Sequence, residues 1–401
     1  MANMPESSEL VFAATRSCLG IGGLEAYARH LGIALSSDYC VREIARFRER
    51  QVPILNFQDW DRGDDEGRAP FPVQLIGPTL PLGRFLGRLR HLITRPATQS
   101  LAIDLFTRAY GPAFEAALPV GVQHIHYVGA GWELLGFCAL KAARKRKIPI
   151  SVWPAVHPGV WGDNRVDFRF YQQVDALFAQ SDYERNHLIA NGISPEKVHL
   201  SGLAPCTSAV GDGDRFRREH RLGMRPLVLF VARKSRYKGY HALLAAMPTL
   251  IASVPDVMLV AIGAPSEPPY PDIDPAHILD LGIATEQQKA DALAACDLFC
   301  MPSEAEAFGI AYVEAWAYGK AVIGGTAPAV RELITDGLNG FCVEQIPDKI
   351  AQIVVRLLLD TEMRTRLGVA GHDLQASRYT WEAVAATHRQ VFQNLRGSKS
   401  L

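Results

Sequence analysis

Short apolar runs alternate with longer amphipathic stretches along most of the chain. Residues 10–15, 52–57, 122–127, 148–153, 175–181 and 197–200 read as buried strands in the first half. Residues 227–231, 257–262, 278–283, 297–301 and 321–323 continue the series in the second. Between them, apolar residues recur at helical spacing, at 24, 27, 28, 31 and 34–35 and again over 241–252 and 310–317. Strands alternating with helices build doubly wound parallel sheets of the α/β class. A polar stretch at 206–225, with Gly-Asp-Gly and a basic run, breaks the pattern and predicts a linker. The expected division is 1–205, 206–376 and an amphipathic tail helix over 377–401.

Candidate chemistry concentrates at 302–320, between two of the apolar runs. Glu306 falls in the turn and Glu314 one to two turns into the helix that follows. Ala307, Phe308, Gly309 and Ile310 present backbone N–H groups at the positive end of that helix, which suits a phosphate. Carboxylates accept hydrogen bonds from sugar hydroxyls. One turn thus offers what a nucleotide sugar presents to a protein. The alternative for these residues is a solvated acidic cluster.

Three other places attract attention. Arg233 and Lys238 follow the apolar run 227–231, where a bidentate guanidinium and an ammonium suit a diphosphate. Lys234 and Arg236 are weaker candidates in the same run. Gly22 and Gly23 lie in a glycine-rich turn between the first strand and its helix, a common phosphate-approach device. His157 follows the 148–153 strand at its carboxyl end, where open α/β sheets bind ligands.

Composition narrows the classes. The chain is 48% apolar and 21% charged with zero net charge, which is ordinary soluble composition and points to no nucleic acid. Its seven scattered cysteines include no Cys-x-x-Cys pair, so reduced thiols, a cytoplasmic setting and no zinc site are expected. Residues 1–10 carry Glu6 and Glu9 without a basic segment, unlike a signal peptide. No run approaches the roughly 20 apolar residues of a membrane span.

The string Glu306-Ala-Phe-Gly-Ile-Ala-Tyr-Val-Glu314 resembles the donor-site signature of retaining glycosyltransferase family four, glycosyl transferases group 1. The resemblance implies a GT-B fold: an acceptor-binding domain, a nucleotide-sugar-binding domain, a cleft between them and a last helix crossing back to the first. It implies Glu306 on the sugar hydroxyls and Glu314 on the ribose, with residues 307–310, Arg233 and Lys238 on the diphosphate. It places Gly22 and Gly23 facing the donor phosphates and acceptor, and His157 near the reacting sugar. It further implies retention without a protein nucleophile, no cofactor or metal, and a glycan or lipid-linked acceptor in surface polysaccharide or glycolipid synthesis. The chain departs from the pattern at Ala232, where many relatives have Gly, and at Ser201-Gly202, where many have Asn-Gly, and matches it in part at Thr326 to Glu332. A nucleotide-sugar epimerase of the same fold and a binding-only partner subunit are the alternatives.

Residues 81–150 hold ten Lys or Arg against three acids, a net +7 in a chain of zero net charge. Within them, 82–95 reads as an amphipathic helix with Arg84, Arg88, His91 and Arg95 on one face and Phe85, Leu86, Leu89, Leu92 and Ile93 on the other. Such a helix lies on an anionic membrane or packs its apolar side on a core. The first reading expects a peripheral enzyme with Phe85, Leu86 and Leu89 shallowly inserted.

Overall fold

The computed structural model describes residues 8–20, 22–48, 56–57, 59, 61, 69–79, 83–207 and 209–397. It divides into two compact units: Met1–Ser201 with Trp381–Leu401, and Gly202–Thr380.

In the first unit, runs of residues that are apolar on both faces form parallel strands, because helices cover both sides of the sheet. The elements run β1 (Ser8–Arg16), α1 (Gly23–Leu35), β2 (Tyr39–Phe47), β3 (Val73–Leu75), α2 (Gly83–Ile93), α3 (Gln99–Ala117), β4 (Val122–Val128), α4 (Leu135–Arg146), β5 (Ile150–Trp153), α5 (Arg165–Tyr171), β6 (Ala176–Ala179), α6 (Asp182–Ala190) and β7 (Val198–Leu200). The strand order is β3-β2-β1-β4-β5-β6-β7, all parallel. Residues 52–55 of the strand expected at 52–57 lie outside the described residues, and Asn56 and Phe57 are not in a strand.

The second unit contains α7 (Gly213–Glu219), β8 (Leu227–Val231), α8 (Tyr240–Ser253), β9 (Met258–Ile262), β10 (Ile278–Gly282), α9 (Glu286–Ala295), β11 (Leu298–Met301), α10 (Ile310–Ala317), β12 (Ala321–Gly324), α11 (Pro328–Leu333), β13 (Gly340–Cys342), α12 (Pro347–Leu359) and α13 (Thr361–Arg378). Its strands are parallel in the order β10-β9-β8-β11-β12-β13. The polar stretch at 206–225 is not a plain linker. Asp212 caps α7 by accepting from Arg215 N at 2.9 Å, and the Arg215 side chain pairs with Asp291 of α9 at 2.6 Å. Polar contacts of this kind hold a short helix that apolar periodicity does not reveal.

The last helix, α14 (Trp381–Gly397), packs within the first unit. His388 stacks on Phe178 of β6 at 3.7 Å between ring centroids, and Arg389 Nε lies 2.6 Å from Asp38. His388 Nδ1 donates to Val384 O at 2.7 Å, since a carbonyl only accepts, so its Nε2 is left to accept from Tyr27 at 2.8 Å. The Tyr27 oxygen then accepts from His126 Nε2 at 3.2 Å, and His126 Nδ1 accepts from Ser151 at 2.9 Å. Each step fixes the tautomer of the next, which ties the helix to α1, β4 and β5.

Candidate active site

The parallel order brings the ends of β8 and β11 side by side, and the second unit's candidate residues follow those ends. After β8 the chain turns through 233–239. Gly239 has φ +82°, and an added Cβ would meet Pro302 O at 2.5 Å. That approach needs glycine. The Tyr237 carbonyl accepts from Glu304 N at 2.8 Å, Gln345 Nε2 at 3.1 Å and Ser303 Oγ at 3.2 Å. The basic turn and the acidic turn are thereby held as one body.

Lys238 and Glu306 meet within it: Nζ lies 2.6 Å from Oε1, and both side chains are largely buried. Arg233 is exposed and donates to the Tyr237 hydroxyl at 2.6 Å, while Lys238 Nζ stands 5.3 Å from the centre of the Tyr237 ring. Lys234, a weaker candidate, is 2% exposed, pairs with Asp280 and lies over Tyr240, which gives it a structural partner. Arg236 is exposed, and its backbone N donates to Glu267.

Gly309 caps α10 at φ +95°. A Cβ there would meet the Tyr312 ring at 2.6 Å, and Tyr312 is itself fixed by a 2.5 Å bond to Met301 O. α10 thus begins close to the end of β11, with Ala307 and Phe308 in the bend that leads into its Gly309 cap. Glu314 lies deeper and is 4% exposed. Its Oε1 accepts from Lys289 Nζ at 2.9 Å, Thr207 Oγ1 at 3.0 Å and Cys206 N at 3.3 Å.

Gly22, Gly23 and His157 belong to the first unit. Gly22 O accepts from Ala26 N at 2.9 Å at the start of α1, and a Cβ on Gly23 would meet open space. His157 Nδ1 donates to Ala155 O at 3.0 Å. Glu184 supports this loop by accepting from Val156 N at 2.6 Å, and from Gln180 N at 2.7 Å. Burial pushes the Glu184 carboxyl up to about 7.

The structure therefore joins Lys238 to Glu306 and gives Glu314 separate partners. Sequence reasoning misses Tyr237, Thr207, Lys289 and Gln345. Tyr237 stood beside Lys238 in the basic run, a signal of sorts. The other three are polar residues distant in sequence from what they touch, and no spacing reveals them.

Residues 212–373, most of the second unit, match the sequence profile of the glycosyl transferases group 1. The chain carries a domain of that family on a GT-B fold of two Rossmann-like parallel-sheet domains. Phosphatidyl-myo-inositol mannosyltransferase of Mycolicibacterium smegmatis is 33% identical over 181 residues, covering 43% of this chain and 46% of that protein. The matched stretch thus spans about half the length of that relative. A GDP-mannose-dependent alpha-(1-6)-phosphatidylinositol monomannoside mannosyltransferase of Mycobacterium tuberculosis is 29% identical over 361 residues, 81% of this chain and 84% of that protein. Among solved structures, sucrose-phosphate synthase from Thermosynechococcus elongatus superposes with TM-score 0.73 at 19% identity, over 97% of this chain and 100% of that one.

Proposed function

We propose that the protein is a glycosyltransferase that moves a mannosyl residue from GDP-mannose to a lipid-linked acceptor with retention at the anomeric carbon. The observation that carries the reading is the Lys238–Glu306 pair on a body shared with Arg233 and the α10 N-terminus. A leaving diphosphate gains negative charge as the glycosidic bond breaks, and cations already in place stabilise it without reorganisation. Lys238 is shared between Glu306 and that diphosphate, Arg233 approaches it from Tyr237, and the 307–310 amides complete the cradle. Glu306 orients the sugar hydroxyls, and Glu314 the ribose. His157 stands near the reacting sugar, and Gly22 and Gly23 admit the phosphates and acceptor. These charges make a divalent metal unnecessary. The named mannosyltransferases support the donor and the acceptor class.

A lipid acceptor brings the enzyme to the inner membrane surface, with the basic face of the first unit as contact. Among the described residues no helix is long and apolar enough to cross a membrane. Around α2, Arg88, Arg90, His91 and Arg95 are exposed. Two expectations for this face change. Leu86 and Leu89 are fully buried, which leaves Phe85, 39% exposed, as the inserting residue on α2. The α4 cations are partly spent within the protein: Arg144 pairs with Asp175, and Lys145 and Arg146 with Glu115. The Arg84 side chain lies outside the described residues.

The test is a thermal-shift screen of GDP-, UDP- and ADP-sugars followed by transfer of radiolabelled mannose to extracted membrane lipid. GDP-mannose should raise the melting temperature and label lipid in the presence of EDTA. No shift with any nucleotide sugar removes the reading. A need for added Mn²⁺ removes its metal-free part, and isomerised donor without an acceptor moves the protein to the epimerases.

A further inference from the structure

Glu314 is a carboxylate with unequal oxygens. Oε1 accepts three hydrogen bonds, from Lys289 Nζ, Thr207 Oγ1 and Cys206 N, at 2.9, 3.0 and 3.3 Å. Oε2 accepts none from the described residues and is not sealed from its surroundings. The three donors come from the α9 helix and the 206–207 segment, both in the second unit, so the carboxylate is clamped from two sides on one atom. A carboxylate free to rotate would expose either oxygen. This one has a fixed inner oxygen and a fixed outer one.

Lys289 is an unusual partner. Its side chain is 17% exposed, so its ammonium is largely withdrawn from water. Burial pulls its pKa down, but the Glu314 and Glu286 carboxylates more than offset that, and it stays charged above its ordinary value. Lys289 therefore presents its positive charge to Oε1. Oε2, which accepts from none of the described residues, has room for hydroxyl donors.

We propose that Lys289 and Thr207 are positioning residues that turn Glu314 Oε2 outward, and that this sets the protein's preference for a nucleoside diphosphate with an intact ribose diol over its deoxy forms. The proposal rests on reading Glu314 as the ribose contact. A buried acceptor that loses its hydroxyl donor is left unpaired, which is how a polar site rejects an analogue lacking one group. Lys289→Met removes the charge and roughly keeps the length. The carboxylate then loses its ionic clamp and can turn its lone pairs inward to Thr207 and Cys206.

The experiment is calorimetric titration of GDP, 2′-deoxy-GDP and 3′-deoxy-GDP into the full chain and its variants. The native protein should bind GDP on the order of tenfold more tightly than at least one deoxy form. Lys289→Met should erase most of that ratio while leaving the weaker deoxy affinity nearly unchanged, and Lys289→Arg should restore it. Thr207→Val, which removes one neutral donor, should erase a smaller part and supplies the readout if Lys289→Met does not fold. A merely structural Lys289 would weaken all three ligands by the same factor, and that result overturns the proposal, as does an unchanged ratio in both Lys289→Met and Thr207→Val. Native protein that binds GDP and its deoxy forms equally removes the ribose role of Glu314. Native protein that binds no nucleoside diphosphate, UDP and ADP included, instead removes the proposed function.

Discussion

At the scale of single residues, the Lys238–Glu306 pair carries two separable quantities. Breaking a buried pair from one side leaves the other charge uncompensated, at a cost of about 3–5 kcal/mol. Lys238→Ala should therefore lower both stability and turnover. Adding Glu306→Gln should recover much of the melting temperature and none of the activity. Recovery of both, in melts and initial rates on the double variant, would show that the pair is structural only. Arg233→Ala removes an exposed group and should leave the melt alone while costing about 2–4 kcal/mol in kcat/KM, the usual loss of one preorganised charge. Glu306 and Lys238 were each legible as residue types in a pattern. Their contact was not, because 68 positions separate them and only the adjacency of β8 and β11 closes that distance.

Elements were easier to read where their period was apolar. The helix expected at 310–317 is α10 without shift, because Gly309 and Gly319 mark its ends. The helix at 213–219 was invisible, since Asp212 and Asp291 hold it rather than a greasy face. At α10 the left-handed Gly309 makes a clear demand. Gly309→Ala adds about 1–2 kcal/mol of backbone strain and pushes against Tyr312, so it should lower the melting temperature and weaken nucleotide binding together. Unchanged nucleotide affinity in the folded variant would remove the α10 amides from the donor site. For α2, flotation with anionic liposomes at low salt should recover the protein, high salt should release it, and Phe85→Ser should reduce recovery at low salt. Recovery in the soluble fraction under all conditions ends the membrane proposal and leaves the transferase proposal standing.

Across the molecule, the first unit hides a set of titrating groups that the second does not match. Burial pushes Glu43, Glu133 and Glu184 up to about 7 and Asp167 up to about 6. Burial also drives His126 well down and His388 down to about 3. For the carboxylates the raised folded pKa means stability present at low pH and lost as pH rises through 6 to 7. For the histidines the depressed pKa means stability present above 6.5 and lost on acidification. Four carboxylates outweigh two histidines between about pH 5 and 7. Amides of β4 to β6 should therefore exchange more slowly, after correction for intrinsic rates, at pH 5.5 than at pH 7.5, and Glu184→Gln should flatten the difference. The opposite trend would mean that these carboxylates are ionised in the fold. None of this was visible in the sequence, where buried and exposed glutamates look alike.

The chain leaves the first unit at Ser201 and returns to it at Trp381. During synthesis the amino-terminal half therefore emerges first, but Tyr27 lacks its bond to His388 and Phe178 lacks its stacked His388 ring until α14 arrives. The second unit, made later, holds all of its own strands. Domains usually mature in order of emergence. Here the first unit to emerge waits for a helix made after the second unit. A stop codon or frameshift just before Trp381 then yields a whole second unit and a first unit lacking its closing helix, which cellular proteases should clear before it can act.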